Sequence, residues 1–319
     1  MKARTPRTTV LFIGGGGRNG STLLERMLAE VPDVAALGEV RHLPSRGLLA
    51  DERCSCGEPF SACPWWTKVG TAAFGGWDRV DGAAWAAAQE AADRHRRLPG
   101  LARLRPGSGD RNVKTVTEHL EALYDGARAS TGAPVLVDSS KHASTAALVR
   151  LVPSVELRVV NLVRDPRGVA HSWTKVVHRP EAGQSELMPR YRPARTALWW
   201  DGVHASLAAL RALGVPVLGA RYEDLVTDPR GQLARIVDFA GLRPAHGWDR
   251  FLSGTTADLG ATHSVAGNPM RFRTGRLELR PDVAWREELA ARDRRAVTAL
   301  TAPLLAAYHY PINGRRKIA

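Results

Sequence analysis

The chain has 319 residues, 44% of them hydrophobic, and a formal net charge of +13. A chain of this length can bury a substantial core as one large domain, and its positive field attracts anionic partners. Because it shows no apolar run of bilayer length, no long apolar leader and no basic stripe interleaved with aromatic residues, we expect a cytoplasmic protein that spans no membrane and binds no nucleic acid.

The first predicted element is a strand that ends in a glycine-rich loop. A β-rich run over residues 8–13 passes into four glycines and then into a helical pattern that begins at Leu23. Glycine N–H groups and a helix N-terminus bind oxyanions together. Arg18 adds a permanently charged guanidinium, and Ser21 and Thr22 add hydroxyl groups. The stretch therefore predicts a site for a phosphate or a similar anion.

This loop differs from the phosphate loop of nucleoside triphosphatases. In that pattern a lysine follows the last glycine, whereas here Ser21 follows Gly20 and the cation is Arg18. The loop resembles that of sulfotransferases that use 3'-phosphoadenosine 5'-phosphosulfate (PAPS), which has a basic residue, a small residue, Gly, Ser or Thr, and Thr. The resemblance implies that the donor is bound by Arg18, Asn19, Gly20, Ser21 and Thr22.

A candidate general base follows the second predicted strand. After a proline, the short apolar segment 34–37 leads to a Gly-Glu pair that contains Glu39. A carboxylate at the end of this strand lies on the same sheet edge as the glycine loop and can accept a proton there. Tyrosylprotein sulfotransferases and related bacterial enzymes have a similar Gly-Glu pair with a catalytic glutamate. The resemblance assigns the role of base to Glu39.

A cysteine-containing segment comes next, with Cys54, Cys56 and Cys63. A closed tetrahedral zinc site needs four ligands, so His42 or His95 would have to join the three cysteines. In a reducing cytoplasm, buried free thiols or one unusual disulfide are the favoured interpretation. The sequence therefore predicts no metal, and it assigns no role to the cysteines.

Residues 51–110 are predicted to form an insertion between core elements. The insertion combines the cysteines and two adjacent tryptophans with an alanine-rich helical pattern over residues 80–97. The Pro- and Gly-rich stretch 99–110 predicts exposed chain. A further helical pattern over residues 112–128 returns the chain to the core.

The strand predicted over residues 133–137 ends in polar residues that include Lys141 and His142. Ligands of open parallel sheets bind at the carboxyl ends of the strands, and a lysine there can neutralise charge that develops on a bridging oxygen. The related sulfotransferases assign transition-state stabilisation to a lysine at this place, which implies that role for Lys141. Cytosolic sulfotransferases use a histidine nearby as base, so His142 is the alternative to Glu39.

The most strand-like run of the chain, residues 157–163, leads to Arg164. The helix that follows contains Ser172, eight residues further along, and it returns this hydroxyl toward Arg164. One guanidinium and one hydroxyl can hold a single phosphate group. In sulfotransferases an Arg and a Ser at this spacing bind the 3'-phosphate of PAPS, and the resemblance assigns that role to Arg164 and Ser172.

The second half of the chain adds further expected contacts to the donor. A mobile loop near the acceptor site is predicted over residues 176–195. A helix is predicted over residues 196–213 and a strand over residues 215–220. The Tyr-Glu-Asp element after that strand resembles one in sulfotransferases, where the tyrosine borders the adenine. The resemblance assigns this contact to Tyr222.

Family members close over the nucleotide with a basic loop that resembles the segment containing Arg271, Arg273 and Gly275. The tryptophan expected after this loop lies further along the chain, at Trp285. This departure leaves open whether Arg271 or Arg273 meets the 3'-phosphate. A final helix is predicted over residues 286–307.

Together, these features are identified as those of one sulfotransferase domain over residues 1–319, with a P-loop-like three-layer α/β/α fold and a central parallel sheet. The resemblance implies in-line transfer of a sulfuryl group from PAPS to a hydroxyl, with adenosine 3',5'-bisphosphate as product and no required metal. Glu39 acts as base, while Lys141, Arg18 and the loop amides stabilise the bridging oxygen. A small-molecule, carbohydrate, lipid-linked or natural-product acceptor is expected, and a peptide tyrosine is a further candidate.

Two other functions are compatible with parts of this sequence. A degenerate P-loop kinase would need ATP and Mg²⁺, which the missing lysine after Gly20 disfavours. A non-catalytic nucleotide-binding or assembly protein would not need Glu39 or Lys141. The sequence leaves the identity of the acceptor and the oligomeric state open.

Overall fold

Two β-sheets organise the described part of the protein. The computed structural model describes residues 7–178, 187 and 189–312. The strands are Thr8–Gly14 (β1), Val34–Gly38 (β2), Val135–Lys141 (β3), Val155–Val163 (β4), Val217–Arg221 (β5), Leu252–Ser253 (β6), Thr256–Leu259 (β7) and Gly275–Glu278 (β8). A parallel sheet has the order β2-β3-β1-β4-β5, and a small antiparallel sheet has the order β6-β7-β8.

The parallel sheet brings five chain segments to one edge. β1 lies at its centre, and Val10 of β1 pairs with Leu136 of β3 and with Leu157 of β4. Because parallel strands all end at the same edge, the residues that follow them converge there. In sheet order, this edge carries Glu39, Lys141, the glycine loop, Arg164 and Tyr222.

Helices cover both faces of the parallel sheet. The α-helices are Ser21–Ala29 (α1), Pro64–Phe74 (α2), Gly82–Ala92 (α3), Leu98–Arg103 (α4), Arg111–Thr131 (α5), Ala143–Val149 (α6), Pro166–Thr174 (α7), Pro193–Ala209 (α8), Tyr222–Thr227 (α9), Pro229–Phe239 (α10), Trp285–Glu288 (α11) and Ala291–Ala307 (α12). Among the described residues, no helix combines the length and the apolar character that crossing a membrane requires.

The alternation of β1 side chains separates two buried clusters. Val10 and Phe12 point into a core that contains residues of α2, α3, α5, α6 and α8, whereas Leu11 and Ile13 point into a core with α1, α10 and the small sheet. Successive strand residues face opposite sides of a sheet, so each face is filled by its own set of apolar residues. The predicted three-layer α/β/α arrangement around a central parallel sheet is confirmed.

The segment 51–110 packs more tightly against the core than its composition suggested. The helix predicted over residues 80–97 ends at Ala92, because the carboxylate of the next residue, Asp93, accepts hydrogen bonds from Arg41 and Thr145 at 2.9 and 2.7 Å. The stretch predicted as exposed contains α4, whose Leu101 is fully buried. The rest of residues 99–110 is exposed or half-buried, so the expectation of exposed chain holds outside Leu101.

Among the remaining boundaries, β3 continues four residues past its predicted end, to Lys141, and the final helix α12 begins five residues after its predicted start. α8 begins three residues before the predicted start, and a 3₁₀ turn at Leu210–Leu213 completes the predicted helical span. β5 is shifted by one to two residues toward the C terminus. The predicted mobile loop over residues 176–195 lies partly outside the described residues, which omit 179–186 and 188.

Candidate active site

A cavity of about 760 Å³ opens at the carboxyl edge of the parallel sheet. Cavities of this size accommodate small organic ligands and cofactors. Most of the site residues predicted from the sequence line it: Arg18, Gly20, Ser21, Thr22, Glu39, Lys141, His142, Arg164, Ser172 and Tyr222. The structure thus brings together, in one cavity, both candidate bases, the lysine and both arginines expected to contact phosphate groups.

The glycine loop is held in shape by its own side chains and by its neighbours. Gly20 precedes α1 with φ +93°, and a Cβ at this position would overlap with the ring of Tyr222. The side chain of Asn19 is buried, donates to the carbonyl of Leu162 at 3.0 Å and accepts from the N–H of Ser21 at 3.1 Å. Asn19 thus braces the loop and does not line the cavity, and its contact with the donor stays a prediction.

Arg18 presents unpaired donors inside the protein. Its backbone is left-handed, with φ +69°, and its guanidinium lies 5.0 Å from the ring of Trp173. Among the described residues, Nε and Nη2 of Arg18 are buried without a hydrogen-bond partner. Burial, followed by the charge of the neighbouring Arg164, lowers the pKa of Arg18. Buried cationic donors are normally paired, so this position is suited to an anion.

Arg164 connects the ends of β4 and β5 to the glycine loop. Its Nη1 donates to the backbone carbonyl of Arg18 at 2.9 Å, and its Nη2 forms an ion pair with Asp282 at 2.8 Å. The guanidinium lies 4.8 Å from the ring of Tyr222. Ser172 of α7 lines the same cavity. Arg18 and Arg164 therefore lie next to each other and present positive charge to the same cavity.

Glu39 and Lys141 form an ion pair on the side of the glycine loop that lies away from Arg164. Nζ of Lys141 contacts the Glu39 carboxylate, both side chains being 13% exposed, and Nε2 of His42 lies 3.8 Å from the other carboxylate oxygen. Burial, the largest single effect, would raise the pKa of Glu39, but the charge and hydrogen bond of Lys141 together with the nearby His42 and Arg46 outweigh it, and the pKa is about 2. The N–H of Glu39 donates to the carbonyl of Val265 at 2.8 Å. Glu39 is therefore a carboxylate held in place on both its backbone and its side chain.

An irregularity in the sheet sets the direction of Lys141. The register between β1 and β3 shifts between Phe12 and Gly14, so that Gly14 pairs with Lys141. Lys141 has φ +70°, a backbone conformation that residues other than glycine seldom adopt. Such bulges and strained residues are common where a side chain is directed into a site.

His142 and His42 both line the cavity. Burial lowers the pKa of His142 to about 3 and that of His42 to about 4. Both imidazoles are therefore neutral near pH 7 and can accept a proton. The ring of His142 packs 5.1 Å from that of His95. His42 escaped assignment in the sequence, although its position three residues after Glu39 was a usable signal.

The basic segment near the C terminus contributes differently from what was expected. Arg271 is buried and donates to the backbone carbonyls of Gly267 at 3.3 Å and Arg53 at 2.9 Å, while Arg273 and Gly275 are exposed. Arg271, Arg273 and Gly275 do not line the cavity, and their contact with the 3'-phosphate stays a prediction. The guanidinium of Arg271 instead fixes the neighbouring chain, from which Gly267, Asn268 and Met270 reach the cavity wall.

Aromatic residues form a wall that the sequence did not reveal. Trp173, Tyr191 and Trp199 line the cavity, and Trp199 lies beside Gly16, where a Cβ would be 3.1 Å from its ring. Of the two adjacent tryptophans in α8, only Trp200 is fully buried. Adjacent residues of a helix point in directions about 100° apart, which is why one of them faces the core and the other the cavity.

The cysteines lie together outside this cavity. Cys54, Cys56 and Cys63 are free thiols, and the histidine beside them is His263 rather than His42 or His95. Their donor atoms and the ring nitrogen of His263 all lie within 4.8 Å of one another. This is the group of side chains, among the described residues, that could hold a metal ion.

Comparison with known proteins identifies similar sequences. A family model described as the sulfotransferase family matches residues 72–246. Carbohydrate sulfotransferase 7 of Mus musculus is 29% identical over 202 residues, which cover 51% of this chain and 41% of the mouse protein. Carbohydrate sulfotransferase 7 of Rattus norvegicus is 29% identical over 203 residues with the same coverage. The chain therefore spans about two-fifths of the length of these relatives.

Two solved structures share the fold over nearly the whole chain. The sulfotransferase domain of the Synechococcus PCC 7002 olefin synthase is 21% identical with a TM-score of 0.53, and 98% of each chain is covered. The sulfotransferase domain from the curacin biosynthetic pathway is 17% identical with a TM-score of 0.55, covering 97% of this chain and 99% of that domain. These likenesses confirm the predicted P-loop-like α/β fold.

Proposed function

The chain belongs to the sulfotransferase family, and we propose that it transfers a sulfuryl group from PAPS to a hydroxyl group of an acceptor. The observation that carries the proposal is the unpaired, buried guanidinium edge of Arg18 beside Arg164, in the cavity that also contains Glu39 and Lys141. Two adjacent guanidinium groups, one of them with unsatisfied donors, are suited to a multiply charged anion. A carboxylate paired with a lysine supplies the groups needed for proton removal and charge stabilisation.

The cavity wall divides into parts that suit different groups of the donor. Arg18 and the loop residues Gly20, Ser21 and Thr22 would hold the phosphosulfate, with N–H groups of the loop and of α1 as donors. Arg164 and Ser172 would hold the 3'-phosphate. Tyr222, which packs against both Gly20 and Arg164, would border the adenine.

The transfer would use the groups around Glu39. The carboxylate takes the proton of the acceptor hydroxyl while the oxygen of that hydroxyl forms a bond to sulfur. The bond between sulfur and the bridging oxygen of the donor breaks, and adenosine 3',5'-bisphosphate leaves with the electron pair. Lys141 and Arg18 stabilise the negative charge on that oxygen. The alternative base is His142, which lines the same cavity.

Lys141 would exchange partners as the donor binds. Next to Lys141, Glu39 has a pKa of about 2 and holds a proton weakly. When Lys141 turns to the bridging oxygen of the donor, Glu39 loses its cation, and burial then raises its pKa. The base thus becomes stronger when the donor is in place.

The acceptor would bind against the aromatic wall. Trp173, Tyr191 and Trp199 offer flat apolar surfaces, while Arg195 and Arg46 add positive charge at the cavity wall. Ring faces of this kind suit carbohydrates and natural products that combine apolar surface with hydroxyl groups. We therefore propose a small-molecule, carbohydrate or lipid-linked hydroxyl as the sulfuryl acceptor, to be identified by transfer of labelled sulfate to a panel of such compounds.

Thermal unfolding in the presence of nucleotides tests the choice of donor. Adenosine 3',5'-bisphosphate at about 100 times its Kd is expected to add roughly 2.7 kcal/mol to the free energy of unfolding. ATP with Mg²⁺ at the same concentration is expected to add less, because the loop has Ser21 where a triphosphatase has lysine. Stabilisation by ATP with Mg²⁺ and not by the bisphosphate would identify the kinase alternative instead.

A further inference from the structure

Four soft ligand groups from two distant parts of the chain meet in one place. Sγ of Cys63 lies 3.6 Å from Sγ of Cys54, 3.7 Å from Sγ of Cys56 and 3.3 Å from Nδ1 of His263. Sγ of Cys54 lies 3.9 Å from the same nitrogen. Cys54 and Cys63 are buried, and Cys56 and His263 are partly buried.

These separations are those of the corners of a metal-centred tetrahedron. With Zn–S bonds of about 2.3 Å and a Zn–N bond of about 2.0–2.1 Å, the sulfurs of a tetrahedral site lie about 3.8 Å apart and sulfur and nitrogen about 3.6 Å apart. The four distances given above fall within about 0.3 Å of these values, and the other two pairs, Cys54 with Cys56 and Cys56 with His263, lie within 4.8 Å. A disulfide would need two sulfurs at about 2.05 Å, and all three cysteines are free thiols.

Backbone N–H groups lie beside two of the sulfurs. The backbone N–H of Cys56 faces the sulfur of Cys54, and the N–H of Trp66 faces that of Cys63. Cys63 is also the residue that precedes α2. Burial outweighs these N–H groups and raises the pKa of both thiols, so the thiolates that a metal requires would form as the ion binds.

The histidine is oriented by its neighbours. The ring of Trp65 stacks on that of His263, with 5.8 Å between the ring centres and 3° between the planes. The indole N–H of Trp66 donates to the backbone carbonyl of His263 at 2.7 Å. The ring therefore presents Nδ1 to the sulfurs without depending on the ion for its position.

We propose that Cys54, Cys56, Cys63 and His263 form a structural zinc site. Four protein ligands leave no open position for substrate, so the ion would stabilise the fold and would take no part in the reaction. Each cysteine binds as thiolate, so three protons leave to solvent for each ion bound. The inference does not depend on the proposed sulfuryl transfer, because no residue of the group lines the cavity.

The site would fix one wall of the candidate active site. The chain around His263 is joined to the cysteine segment by Ser55, whose Oγ accepts from the N–H of Ser264 at 2.7 Å. Two residues after His263, the N–H of Val265 donates to the carbonyl of Leu37 at 3.0 Å and its carbonyl accepts from Glu39. A zinc ion would therefore lock the segment that positions the backbone of the proposed base.

Metal analysis of the full-length protein tests the site. After expression with added zinc and purification under reducing conditions without metal-affinity resin, elemental analysis is expected to find one zinc ion per chain. Cys63→Ser and His263→Ala should lose this zinc. The control His246→Ala, a change at an exposed histidine outside the group, should retain it. Zinc-free wild-type protein with three reactive thiols, or with a disulfide in its mass spectrum, would overturn the proposal.

Two measurements on the unaltered chain keep the test independent of folding defects in the variants. Exchange of the ion for Co²⁺ is expected to give the visible absorption of tetrahedral, thiolate-bound cobalt. A spectrum typical of octahedral cobalt would contradict the proposed four-ligand site. Removal of the ion by a chelator is expected to accelerate hydrogen exchange over residues 262–271 and to leave β3 unchanged. Equal exchange with and without the ion would refute the proposed bracing of the cavity wall.

Discussion

Lys141 and Glu39 contact each other across 102 positions of the chain, at the ends of the neighbouring strands β3 and β2. Each side chain is 13% exposed, so water screens the attraction between them only weakly. Pairing keeps Glu39 ionised and keeps Lys141 at the cavity wall. The same contact leaves the carboxylate a weak base until another anion attracts the lysine.

Replacement of Glu39 by glutamine tests its role as base. Glu39→Gln keeps the size of the side chain but removes proton acceptance, so kcat is expected to fall by roughly 10²- to 10⁴-fold. The Kd for adenosine 3',5'-bisphosphate should stay within a few-fold of the wild-type value. Kinetics with labelled donor and calorimetry measure the two effects. The control is Glu90→Gln, at an exposed position on α3, and full turnover by Glu39→Gln would transfer the role to His142.

The low pKa of Glu39 makes its contribution to stability depend on pH. The folded-state pKa is about 2 and the ordinary value is 4.5, so the carboxylate stabilises the folded state above pH 4.5 and this stabilisation is lost as pH falls toward 2. The total is about 3 kcal/mol, of which about 2 kcal/mol disappears between pH 6 and pH 3. Urea unfolding should show that the difference in unfolding free energy between wild type and Glu39→Gln shrinks by this amount as the pH falls from 6 to 3. A difference that is constant with pH would contradict the pairing.

Local motifs explain why most of the site was predictable. The glycine loop, Glu39 and Arg164 follow strands directly and Lys141 ends β3, and parallel strand ends converge whatever the details of packing. The residues that line the cavity from these positions needed no knowledge of distant contacts.

Distant contacts explain what was missed. His263 is 200 positions from Cys63, and no local spacing connects the two, so the fourth member of the cysteine group was sought at His42 or His95. Nη1 and Nη2 of Arg271 donate to backbone carbonyls, which carry no signal in the sequence. Trp199 reaches the cavity through the rotation of α8 about its axis, a quantity set by packing.

Arg164 and Arg18 are expected to recognise different phosphates of the nucleotide. Arg164→Ala should weaken binding of adenosine 3',5'-bisphosphate by about 1.5–3 kcal/mol, or roughly 10- to 100-fold, and should leave binding of adenosine 5'-monophosphate nearly unchanged. Arg18→Ala should weaken both ligands equally. Titration calorimetry at constant salt measures the four affinities. Equal losses for the two ligands in Arg164→Ala would contradict its assignment to the 3'-phosphate.

Gly20 is expected to be required for donor binding for two separable reasons. Its φ of +93° disfavours any other residue, and a Cβ there would overlap with the ring of Tyr222.

Gly214, with φ +75° and nothing within 4 Å of a Cβ, provides a matched control for backbone strain alone. Gly20→Ala and Gly214→Ala should each lose about 1 kcal/mol of unfolding free energy through this strain. Only Gly20→Ala should also lose affinity for adenosine 3',5'-bisphosphate, because displacement of Tyr222 disturbs the loop and the ring that borders Arg164. Unchanged nucleotide affinity in Gly20→Ala would remove both Gly20 and Tyr222 from the proposed donor site.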